Sequence, residues 1–102
     1  MKKKAIITYL PPAERDLEEI VDYIRRNSVS GANRFLDKLD RAVNRTARFP
    51  ESGLIPKDPY LLQKKYRILI IGNYLAFYRI ERRRIVFYRI LHGKRRYQFL
   101  LG

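Results

Sequence analysis

The sequence predicts an α+β fold: one domain in which an N-terminal strand and an antiparallel two-helix hairpin pack on a mostly antiparallel sheet completed by a C-terminal three-strand meander. Two consecutive segments repeat their apolar residues at helical spacing, and three β-prone runs then follow, separated only by turn residues. A chain of 102 residues is enough for one core and too short for two, which places a single domain over residues 1–102. Apolar residues make up 46% of the chain, with 8 Tyr and 5 Phe, so a packed core is affordable despite the charge.

The first element is the β-prone run Lys4 to Tyr9, ended by Pro11-Pro12. Proline at the first helical turn has no amide hydrogen to leave unbonded, so a helix can start there. Ala13, Leu17, Ile20, Val21 and Ile24 then share one face of a 3.6-residue period, with Glu14, Arg15, Glu18, Glu19, Asp22 and Arg25 opposite, so an amphipathic helix ends near Asn27. Ser30 offers N-cap chemistry for a second helix, whose stripe is Ala32, Phe35, Leu36, Leu39, Ala42, Val43 and Thr46 and which runs to about Arg48. The short connection makes the pair an antiparallel hairpin.

Phe49-Pro50-Glu51-Ser52-Gly53 breaks the helix, and Pro56 and Pro59 predict an irregular loop. The runs Tyr66 to Ile71, Tyr74 to Ile80 and Arg84 to Leu91 form the meander, with a Gly-led two-residue turn at Gly72-Asn73 and a turn at Glu81-Arg82-Arg83. The tail from Lys94 is too short to declare its own state. Alternation along the strands places Tyr66, Ile68, Ile70, Tyr74, Ala76, Tyr78, Ile80, Val86, Tyr88 and Ile90 in one set, expected on the helices. The other set, Arg67, Leu69, Ile71, Leu75, Phe77, Arg79, Ile85, Phe87, Arg89 and Leu91, is expected on an open apolar face with three embedded guanidinium groups.

Charge is distributed unevenly. The total is 23 Lys and Arg against 10 Asp and Glu, a net +13. Residues 1–51 hold 11 basic and 8 acidic side chains, whereas residues 52–102 hold 12 and 2, so the second half carries +10 of it. Such a field attracts polyanions and acidic proteins. Zero cysteines exclude a disulfide scaffold, a thiolate metal site and a Cys nucleophile, and a lone His92 forms no His cluster. Neither a signal peptide nor a membrane span is expected, nor a metal or cofactor; the expected location is the cytoplasm.

The sharpest local feature is Arg89-Ile90-Leu91-His92-Gly93-Lys94-Arg95-Arg96-Tyr97, a strand that ends in His-Gly and three cations. Lys94, Arg95 and Arg96 can clamp phosphates or carboxylates, Tyr97 can stack a base, and His92 can move a proton. The plainer reading is a solvated basic tail. Glu14, Glu18 and Asp22 lie at i, i+4, i+8 among arginines and read as an exposed helix face rather than catalytic carboxylates.

The order of elements, together with Asp16-Leu17-Glu18-Glu19-Ile20-Val21-Asp22-Tyr23-Ile24, Ala32-Asn33-Arg34-Phe35-Leu36, Phe49-Pro50-Glu51-Ser52-Gly53, Gly72-Asn73-Tyr74-Leu75-Ala76-Phe77-Tyr78-Arg79 and the His-Gly-basic ending, resembles the RelE/ParE toxin superfamily of type II toxin–antitoxin modules. The resemblance covers the whole chain. It implies a toxin held by a cognate acidic antitoxin in a hetero-oligomer. It also implies one of two activities: non-catalytic poisoning of DNA gyrase, as in the ParE-like branch, or ribosome-dependent cleavage of messenger RNA, as in the RelE-like branch.

In the ribonuclease branch an Arg follows a Gly-Tyr pair, where this sequence has Asn73-Tyr74-Leu75. Of the cations expected on the preceding strand only Arg67 is present, Leu69 and Ile71 standing at the next positions. The ending is similar to the ParE-like branch, which is the favoured reading. On it, Arg67, Arg79, Arg89, Lys94, Arg95 and Arg96 would contact the antitoxin or target. On the ribonuclease alternative the candidates are Arg67, His92, Arg95 and Tyr97, with ribosome and messenger RNA as partners. A non-specific nucleic-acid-binding domain is the third reading.

Overall fold

The computed structural model describes residues 3–95 and 101. Its elements follow the predicted order: β1 (Ile6–Tyr9), α1 (Pro11–Asn27), α2 (Val29–Arg48), a single 3-10 turn (Pro50–Ser52), a short helix α3 (Pro59–Gln63), β2 (Arg67–Ile71), β3 (Tyr74–Glu81) and β4 (Arg84–His92). The sheet order is β1-β4-β3-β2, with β1 parallel to β4 and the meander antiparallel. No described helix is long and apolar enough to cross a membrane.

Pro11 and Pro12 occupy the opening turn of α1, and Arg25 and Arg26 its last turn, where cations complement the helix dipole. The cap of α2 is Ser28, not Ser30: its Oγ accepts from the Gly31 amide at 2.9 Å. The helix therefore begins two residues before the sequence-based position, leaving Ser28 as the whole connection between the two helices. The segment expected to be loop contains α3, whose N-cap Asp58 accepts from the Leu61 amide at 3.1 Å. Leu61 is fully buried, so one apolar anchor and one cap suffice to fix this turn of helix.

Both faces of the sheet are packed. Against the helices lie Leu69 and Ile71 of β2, Ala76 and Tyr78 of β3, and Ile85, Phe87 and Ile90 of β4, meeting Ala13, Ile20, Val21, Ala32, Phe35 and Leu39. The other face holds Tyr66, Ile68, Phe77 and Leu91 with Leu61 and Leu101. The face assignment from alternation is correct for β3 and for Ile90 but reversed for β2 and for Ile85 to Tyr88. A bulge between the Phe77–Arg89 and Tyr78–Phe87 pairs leaves Tyr88 unpaired and resets the parity of β4 partway along. With both sides of β2 apolar, nothing in its own residues selects a phase.

Tyr78, with 0% exposure, ties the post-α2 loop to the sheet: its hydroxyl donates to the Pro50 carbonyl at 2.7 Å and accepts from the Gly53 amide at 3.0 Å. A Cβ at Gly53 would stand 2.4 Å from that oxygen, so only glycine admits the ring. Burial pushes the Tyr78 phenol above its ordinary value.

Candidate functional site

Three arginines were expected side by side on one open face. The structure separates them. Arg67 sits opposite Tyr78 and turns to the loop, its Nη1 donating to the carbonyls of Glu51 at 2.9 Å and Gly53 at 3.3 Å. Arg79 does lie on the second face, its guanidinium 5.8 Å from the Tyr66 ring centroid and 5.7 Å from that of Tyr88. The Tyr88 hydroxyl donates to the Glu81 carboxylate beside it.

Arg89 belongs to neither face. β1 ends at Tyr9, and beyond the bond from the Leu10 amide to the Phe87 carbonyl the outer edge of β4 has no strand partner among the described residues. Asp16 of α1 takes that place. Its carboxylate accepts from the Ile90 amide at 2.9 Å, from Arg89 Nε at 2.7 Å and from Arg89 Nη2 at 2.9 Å. The carboxylate is only 8% exposed as a residue, and its hydrogen bond raises the Arg89 guanidinium further above its already high value. Asp16 is assigned no role from the sequence, but its position carries a signal: it falls at i+3 from Ala13 and i−4 from Ile20, a carboxylate on an apolar stripe. A buried acid at such a place requires a buried cation.

The end of β4 is the accessible part. The Gly93 amide donates to the Asn73 carbonyl at 2.9 Å and the Arg95 amide to the His92 carbonyl at 2.9 Å, curling the chain across the β2–β3 turn. His92 Nδ1 accepts from the Lys94 amide at 3.2 Å, so in the neutral ring the proton rests on Nε2. The imidazole packs edge-on to Tyr74, ring centroids 5.3 Å apart, and Tyr74 packs edge-on to Phe35 of α2. His92 and Arg95 border a cleft of about 160 Å³ whose other walls include Asp16, Glu19, Tyr23 and Tyr74. Lys94 and Arg95 are exposed and, among the described residues, make no ion pair. Arg96 and Tyr97 lie outside the described residues. The described residues contain no group of three or more His, Cys, Asp or Glu able to hold a metal ion.

Arg67 and His92 stand apart along the sheet. Arg67 pairs with Tyr78 and His92 with Tyr74, four positions apart along β3, about 13 Å at roughly 3.3 Å per residue. The sheet thus keeps Arg67 away from the cationic, histidine-bearing end where His92 and Arg95 share a cleft.

A family model described as the ParE toxin of type II toxin–antitoxin systems, parDE, matches residues 7–97. The chain belongs to this ParE toxin family. Among solved structures, the chromosomal ParDE toxin–antitoxin system from P. aeruginosa is similar at a TM-score of 0.67 and 18% identity, covering 87% of this chain and 96% of that one. The toxin–antitoxin complex RelBE2 from Mycobacterium tuberculosis is similar at 0.58 and 21% identity, covering 87% and 98%. Both likenesses are of fold. No curated protein matches the sequence. The RelE/ParE resemblance read from the sequence motifs thus holds, and the family match favours its ParE-like side.

Proposed function

We propose that this member of the ParE toxin family acts as a non-catalytic poison of a large target, DNA gyrase first, and is neutralised by a cognate acidic antitoxin. The observation that carries the reading is that Arg67, one of the candidate ribonuclease groups, stands away from the cleft that His92 and Arg95 share. General acid–base cleavage of a phosphodiester needs its groups within about 3 Å of the reacting atoms. Arg67 is spent on two loop carbonyls about 13 Å along the sheet from His92. Leu75, standing where the ribonuclease branch carries an Arg, has its side chain against the second core.

What remains available is electrostatic. Lys94 and Arg95 are exposed at the rim of the sheet, in the half-chain that carries +10, and acidic segments are drawn to such a field. Arg79, on the face away from the helices, is held over the Tyr66 and Tyr88 rings instead.

The purified chain is expected to inhibit gyrase-catalysed supercoiling of a relaxed plasmid, and an acidic protein encoded beside it is expected to restore supercoiling and co-elute with it. Normal supercoiling together with cleaved messenger RNA on translating ribosomes would replace this reading with the RelE-like one.

A further inference from the structure

The end of the sheet away from His92 carries a second basic site that the toxin reading leaves unused. The lead-in to β1 is bonded on one side to the β3–β4 turn, from the Ile6 amide to the Arg83 carbonyl at 3.0 Å, and on the other to the end of α2, from the Ala5 amide to the Ala47 carbonyl at 2.8 Å. Between these tied walls lies a cleft of about 850 Å³, the largest of those described, lined in part by Lys3, Arg48, Phe49, Glu51, Arg82 and Arg83.

Three features of this cleft point the same way. None of its four cations is ion-paired among the described residues, unlike Arg89 of β4. Four positive charges stand against the Glu51 carboxylate and about half a charge from the C-terminus of α2, leaving roughly +2.5. Phe49 caps α2 and, 61% exposed, lines the cleft among those cations.

The third feature is the backbone of Arg82. Both hairpin turns of the sheet place their first residue in the left-handed region, Gly72 at φ 60° and Arg82 at φ 62°. Glycine adopts that conformation without cost and arginine does not. Lys65 shares that conformation at φ 65°, but of the two only Arg82 lines the cleft, at a turn position where its neighbour uses glycine.

We infer that this cleft binds single-stranded nucleic acid, with Arg48, Arg82 and Arg83 on successive phosphates and an unpaired base stacked on Phe49. An exposed aromatic ring flanked by cations is the arrangement that holds an unpaired strand without reading its sequence. An acidic peptide satisfies the charges but leaves the flat ring without a partner of matching shape. The inference does not depend on the gyrase reading and stands or falls separately from it.

The test is fluorescence anisotropy of labelled ten-residue oligo-dU and oligo-U with the intact chain, titrated over salt. Phe49→Ala is expected to weaken binding at least fivefold, consistent with the loss of one stacked base. Arg82→Gly combined with Arg83→Ser is expected to reduce the slope of log K against log salt by about 1.4, two phosphate contacts at about 0.7 each. The charge-matched pair Lys38→Ser and Arg41→Ser, on the exposed side of α2, removes the same two charges and is expected to move the slope by less than half as much. Because Arg82→Gly relieves strain, its melting temperature is expected not to fall, which separates lost binding from lost fold. Oligo-dU beside oligo-U, strands that differ in the sugar alone, distinguishes DNA from RNA as the ligand. Equal loss in the cleft and control variants, unchanged binding in Phe49→Ala, or preference for an oligo-glutamate peptide over both oligonucleotides would overturn the proposal.

Discussion

The arginines of the strands and the cations at the two ends of the sheet have the same formal charge and opposite employment. Arg89 is closed into a bidentate pair with Asp16, Arg67 is bonded to two carbonyls, and Arg79 lies between two phenol rings. Lys94 and Arg95 at one end, and Lys3, Arg48, Arg82 and Arg83 at the other, have no ion-pair partner among the described residues. A basic protein therefore uses part of its charge as cement and keeps the rest as surface. The difference follows from position: a strand interior offers carbonyls, carboxylates and rings within reach, whereas a turn offers water.

Breaking the strongest member of the first group has the largest expected effect. Arg89→Ala leaves the Asp16 carboxylate, 9% exposed at its side chain, with only the Ile90 amide for compensation. Removing one partner of a buried pair costs about 3–4 kcal/mol. Asp16→Asn keeps an oxygen for Ile90 and costs about half as much, because Arg89, 20% exposed, can turn to water. Urea unfolding ranks the two, and an Arg89→Ala loss below about 1 kcal/mol would place the pair among surface contacts.

That pair also shows where the sequence is legible and where it is not. Helix periodicity, the proline start of α1 and the Gly-led turn at Gly72 are local signals, and the elements they predict are present with ends shifted by a few residues. The phase of β2 and half of β4 is not local. It depends on the Tyr88 bulge and on Leu61 and Leu101 covering the second face, so two apolar sets of equal quality were indistinguishable until the partners were in place. The charged residues divide in the same way: the exposure of Lys94 and Arg95 follows from their place just after the strand, whereas Asp16 meets Arg89 across 73 positions.

Arg67→Ala is the next test. It removes two bonds to the loop that Tyr78 also holds, and net values of about 0.5–1 kcal/mol per bond give a loss of about 1–2 kcal/mol. Tyr78→Phe, which strands the Gly53 amide and the Pro50 carbonyl, should cost about the same. Near additivity in the double variant would mean that the loop has two independent ties; a double loss no larger than either single would mean that it detaches as a unit.

Arg79→Ala is smaller, about 0.5–1 kcal/mol, since the guanidinium is partly exposed above its rings. It carries a spectroscopic signature. Burial first of all pushes the Tyr66 and Tyr88 phenols above 10, and Arg79 opposes that rise. Losing the cation should move the tyrosinate absorbance transition to higher pH. The sign for stability follows: both groups are neutral when folded, so their contribution is intact below pH 10 and is lost as pH rises through their folded values. An unmoved transition would mean that Arg79 does not sit on the rings in solution.

The exposed cations close the series. Lys94→Ser and Arg95→Ser replace side chains that touch water, and each should change unfolding free energy by less than about 0.5 kcal/mol. The same pair should slow association with an acidic antitoxin and reduce its salt dependence, because charges at the rim of an interface act on the encounter more than on the bound state. Association rates by stopped flow at two ionic strengths, set beside melting curves, separate the two effects. A variant that melts early would show that the end of β4 is also held by its cations, and the division between cement and surface would have to be drawn elsewhere.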